Sequence, residues 1–127
     1  YHPLLEIIMN SRAKGVRGEL ELSHELNARG FTARRSQQYS GAGLESADLT
    51  VLGLTPRLEC KRVEAYRISE WVQQAHKDAR GGPWIIMSRR SNEGWLVMQT
   101  LDQWCNDSAY AHEAKAARLN AFEGPIL

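Results

Sequence analysis

A chain of 127 residues has room for one domain, large enough to bury a single core without disulfides or a structural metal. Its 16 Lys and Arg against 15 Asp and Glu leave a net charge of +1, which does not exclude a nucleic-acid partner, because a whole-chain sum hides local separation. No apolar run approaches the ~20 residues of a membrane span, and Cys60 and Cys105 have neither CxxC spacing nor a His at ligand spacing, which argues against a disulfide framework and a cysteine-based zinc site.

Residues 1–12 are read as an N-terminal arm or a cloning remnant, without a secretory pattern. From Ala13 to Arg29 the pattern is helical, with Val16, Leu20, Leu22 and Leu26 assigned to one side and Gly30 as the stop. Phe31–Arg35 reads as a short strand and Ser36–Ser46 as a polar loop, longer than the usual ~4 to 6 residues. Ala47–Gly53 and Arg57–Val63 form an expected hairpin around Pro56. A helix over Ser69–Arg80, with Ser69 as N-cap, ends at Gly81, Gly82 and Pro83. Trp84–Ser88 and Trp95–Gln99 make a second strand pair, and Leu101–Asn106 and Tyr110–Phe122 read as two further helices.

On the first helix, Glu19 falls among the apolar positions, whereas Glu21 and Glu25 are assigned to a solvated face near Arg17. A buried carboxylate needs a cation, a metal, a hydrogen-bond donor or a proton; a pair with an arginine is the ordinary solution. Period-two alternation sets Glu59 and Lys61 on one face of their strand, with Leu58 and Cys60 on the other. Alone this could be a surface salt bridge, and Asp48 at the start of the preceding strand could be a turn former. Together, 3 carboxylates and a lysine converge from a helix and a hairpin, an oxygen-rich set that suits Mg²⁺. The 4 histidines show no ligand spacing.

The ordered set Lys14-Gly15, Glu19, Gly30-Phe31, a Ser-Gly loop, Asp48, Glu59-Cys60-Lys61 and Gln74-Ala75 resembles the PD-(D/E)XK nuclease superfamily, and within it the archaeal-type Holliday junction resolvases and their phage-encoded relatives. Ala47 stands where the motif name has Pro, and the tail from Thr100 lies outside the resemblance. The resemblance implies an α/β restriction-endonuclease-like core over 13–99, with a mixed sheet of about five strands flanked by helices, and a helical C-terminal extension over 100–127. It implies Mg²⁺, with Mn²⁺ able to substitute, held by Asp48, Glu59 and the Cys60 carbonyl, with Glu19 completing the site directly or through water. Lys61 would orient the attacking water, and Ser40 would assist cleavage.

The cations expected to meet DNA are Lys14, Arg17, Arg34, Arg35 and Arg62; Gln37, Gln38 and Gln74 supply amides and Tyr39 a stacking ring. The 4 tryptophans, at 71, 84, 95 and 104, are read as core or subunit interface. The expected activity is a Mg-dependent endonuclease resolving four-way junctions in DNA recombination and repair, acting as a homodimer on branched DNA. No organic cofactor or membrane partner is expected, and the location is the cytoplasm, the host's if the chain is phage-encoded. A nuclease for linear or nicked DNA, or an inactive DNA-binding module on the same fold, are the alternatives.

Overall fold

The structure, a computed structural model, describes residues 3–36 and 48–123. Helix α1 runs from Pro3 to Ala28, so the first helix begins ten residues before the sequence reading put it. Its buried stripe is Gly18, Glu19, Leu22 and Ser23, with Leu26 packed beside them. Leu20 is 42% exposed instead of buried, because two residues advance ~200° around a helix and carry it away from Leu22. At the C-terminus Gly30 takes φ +93°, and the Phe31 N–H donates to the Leu26 carbonyl at 3.1 Å. The Asn27 side chain then accepts from Ala33 N at 2.7 Å and donates to Ala33 O at 2.9 Å, which fixes the chain's entry into the sheet.

The strands are β1 (Ala33–Arg35), β2 (Leu49–Val51), β3 (Arg57–Arg62), β4 (Trp84–Arg89) and β5 (Leu96–Met98). They form one five-stranded sheet in sequence order. β3 and β4 are parallel and every other neighbouring pair is antiparallel, so the sheet is mixed. Helix α2 (Ile68–Asp78) is the crossover that a parallel pair requires. It starts at Ile68, with Arg67 as an N-cap that makes no side-chain capping bond, in place of Ser69.

Alternation along the strands divides the core in two. Leu49, Val51, Leu58 and Ala33 pack under α1 with Leu22, whereas Trp84 and Ile86 pack under α2 with Trp71 and Ala75. Leu58 and Ile86 are almost fully buried, each contributing about 1.5 to 3 kcal/mol of transfer free energy. Trp71 and Trp84 are therefore core, Trp95 is half-buried against the α1-side core, and Trp104 is 56% exposed. The C-terminal extension is a single helix, α3 (Leu101–Glu123), where two were expected; nothing at Asn106–Ala109 is a strong enough breaker to divide it. No described helix is long and apolar enough to cross a membrane.

Candidate active site

The β2–β3 ladder is short, with Leu49 opposite Leu58, and Asp48 extends it by one step. Its N–H donates to the Leu58 carbonyl at 3.1 Å, and its Oδ2 accepts from the Cys60 N–H at 2.8 Å. The carboxylate is thus anchored on the backbone of β3. Glu59 shares that side of the strand with Arg57 and Lys61, as two-residue periodicity requires. Arg57 Nε donates to Glu59 Oε1 at 2.7 Å, with both side chains largely covered.

These groups lie in a cleft of about 340 Å³. Asp48, Glu59 and Lys61 form its sheet side, and Trp71, Gln74 and Asp78 of α2 its helix side. Burial, followed by the Asp48 charge and a hydrogen bond to Asp48, pushes the Glu59 carboxyl from 4.5 up to about 7, against the opposing pull of Arg57. Two carboxyl groups so close need either a shared proton or a cation. Mg²⁺ commonly uses one or two carboxylates and keeps several waters, so this donor pair fits it. Lys61 is half-buried on the cleft and makes no ion pair among the described residues.

Cys60 faces the other way. Burial first, then Asp48, Glu19 and Glu21, pushes its thiol up to about 12, so it is an inert core group and only its backbone is left for the cleft. Glu19 is buried on α1 and accepts from Arg35 Nε at 2.7 Å. This is the arginine pair that a carboxylate on an apolar stripe calls for. Among the described residues, no three His, Cys, Asp or Glu side chains converge into a cation-binding group, and the ion-pair partner of Glu19 is Arg35.

Glu21 is not a solvated bystander: it accepts from Arg89 Nη1 at 2.7 Å and from Arg62 Nε at 3.4 Å, linking α1 to β3 and β4. Glu25 is the ordinary surface carboxylate of the helix and pairs with Arg29 one turn on. Lys14, Arg17 and Arg62 meet at a separate cleft on the α1 side. Arg34 is exposed on β1, and Gln74 reaches the cleft of Asp48 and Glu59, where its Nε2 donates to Asp78 Oδ1 at 2.8 Å. Gln37, Gln38, Tyr39 and Ser40 lie outside the described residues.

Two residues bearing on the cleft escaped the sequence reading. Arg57, which pairs with Glu59, is in the same period-two register as Glu59 and Lys61, and Asp78, which lines the cleft, is one helical turn beyond Gln74, so both could have been found by extending patterns already in use.

No protein-family model and no curated protein matches the sequence. Among solved structures, the chain is similar to Hjc, a Holliday junction resolvase from the archaeal hyperthermophile Archaeoglobus fulgidus. The likeness has a TM-score of 0.50 at 21% identity and covers 66% of this chain and 75% of that one. The mixed sheet, the helices on its two faces and this likeness together identify the fold as the restriction-endonuclease-like α/β core.

Proposed function

We propose that the chain is a metal-dependent, structure-selective DNA endonuclease that resolves four-way junctions by hydrolysing phosphodiesters. The observation that carries this reading is the cleft in which Asp48, Glu59 and Lys61 meet on two antiparallel strands. Asp48 and Glu59, with the Cys60 carbonyl, would hold Mg²⁺ or Mn²⁺. The ion supplies Lewis-acid charge against the negative charge that develops on phosphate. Lys61 places an ammonium on the same side of the cleft, where it offsets charge on a phosphate oxygen and orients the attacking water. Arg57 holds Glu59 in position, and Gln74, tied to Asp78 through its nitrogen, turns its carbonyl oxygen free to accept from water.

Paired cuts on opposed strands call for two sites related by a twofold axis, so the working form is a homodimer. The open edge of β5 and the start of α3, where Leu96, Val97, Leu101 and Trp104 are exposed, support that expectation. Sedimentation at micromolar concentration should return twice the chain mass; a monomer throughout would remove the dimer.

The test of function is cleavage of a synthetic four-way junction and a linear duplex, with Mg²⁺ or with chelator, by wild type and Glu59→Ala. Junction cutting that needs Mg²⁺ and disappears in Glu59→Ala is expected. Equal cutting of both DNAs replaces the resolvase with a general nuclease. Binding without cutting under any divalent ion makes the chain a binding module.

A further inference from the structure

On the α1 face of the sheet, a second cleft of about 420 Å³ opens where α1 crosses the C-terminal end of β3. Its cations are Lys14, Arg17 and Arg62, and its carboxylates Glu21 and Glu64, with Ser91 beside them. The floor is rigid. A Cβ built on Gly18 would lie 2.5 Å from Arg62 Cβ, so helix and strand touch at backbone distance. Arg62 is held from three directions, by Glu21 at 3.4 Å, Glu64 at 3.1 Å and the Ser91 hydroxyl at 3.3 Å, and Arg89 bonds Glu21 at 2.7 Å.

The two carboxylates are therefore occupied by Arg62 and Arg89. Lys14 and Arg17, one turn apart on the rim, are exposed and make no ion pair among the described residues. Four cations surround two carboxylates, and the two without partners point the excess at the opening. An anion is the ligand this charge distribution takes, and a phosphodiester fits the pair of flexible cations, the Ser91 hydroxyl being already donated to Glu64.

Successive residues of a strand point to opposite faces, so Lys61 serves the active-site cleft while Arg62 serves this one. The two clefts flank the same end of β3. We propose that the α1-side cleft holds the backbone of a second DNA segment while the first lies against Asp48, Glu59 and Lys61, and that this second grip makes the protein prefer branched DNA. A straight duplex in one cleft does not turn the end of the sheet; two arms leaving a branch point straddle it. The proposal rests on the nuclease reading above and adds the origin of its substrate choice.

The experiment measures binding by fluorescence anisotropy in chelator, where nothing is cut, of a four-way junction and a linear duplex of equal length. Wild type is compared with Lys14→Ala/Arg17→Ala and with Arg29→Ala/Arg80→Ala, which removes the same charge from exposed positions at the other end of the sheet. The first variant should weaken junction binding about tenfold or more and linear binding less than about twofold, and the second should move neither beyond about twofold. If wild type prefers the junction and the Lys14/Arg17 variant weakens both DNAs alike, or neither, the second grip is wrong while the nuclease reading stands. If wild type binds both DNAs alike, branched-DNA selectivity falls and this cleft's role falls with it.

Discussion

At Glu59 two demands meet: the strand covers the carboxyl, and Asp48 adds like charge beside it. The native carboxyl releases its proton near 7, whereas in the unfolded chain it does so near 4.5. Between those values the native state binds more protons than the unfolded state, so this group makes stability fall as pH rises from about 4.5 to about 7. Glu59→Gln should remove that slope: against wild type its Tm gains at pH 8 relative to its value at pH 4.5. Urea midpoints at the two pH values check this, and identical slopes would mean that Glu59 titrates normally. A divalent cation competes with the same proton, so Mg²⁺ should raise the wild-type Tm more at pH 8 than at pH 6 and leave Glu59→Gln nearly unmoved. That Asp48 and Glu59 come to lie side by side was legible from alternation and hairpin pairing. The Arg35 partner of Glu19 was legible only as a type of residue, because a helix face shows that a carboxylate is buried without showing which of 16 cations comes to it.

The crossing of α1 over β3 turns on two glycines that the helix treats oppositely. Gly18 lies at the contact, where an added methyl would meet Cβ and Cγ of Arg62 at 2.5 and 3.2 Å, atoms too near the backbone to swing away. Gly15, one turn earlier, has nothing within 4 Å of the same position. In an unhindered helix interior, Gly→Ala gains about 0.5 to 1 kcal/mol. Gly15→Ala should therefore stabilise by roughly that amount, whereas Gly18→Ala should lose about 1 to 3 kcal/mol as α1 is pushed off the sheet. Chemical denaturation of the two variants reads opposite signs; a stabilised Gly18→Ala would show that the crossing is looser than its geometry. Neither role could be read from the sequence, where both glycines are equal interruptions of a helical pattern. The helix itself was legible from Ala13 onward by its period, whereas the mildly apolar stretch before it was read as an arm preceding the first clear element, although it continues the same helix.

Basic residues that are far apart in the chain become neighbours because β3 and β4 run parallel: Lys61 stands opposite Ser88, and Arg62 opposite Arg89. The sequence shows these cations at the ends of two strands, but period and turn residues do not say which strands pair across a helix, so their meeting was not legible. The crossover through α2 brings both C-terminal strand ends to one place, and α1 adds Lys14 and Arg17 beside them. A net charge of +1 thus coexists with a local gathering of four cations, Lys14, Arg17, Arg62 and Arg89. For a protein making ~6 to 10 phosphate contacts, released counterions make affinity fall by ~10³ to 10⁵ between ~50 and ~200 mM salt. Junction binding by this chain should fall on that scale, and Arg62→Ala should shallow the log–log slope by about one contact. Part of that change would come from Glu21 and Glu64, which lose a partner and then repel the DNA. Arg62→Ala combined with Glu64→Ala separates the two causes: the intercept should recover while the slope stays shallow. A flat salt response in wild type would mean that this end of the sheet does not track phosphates.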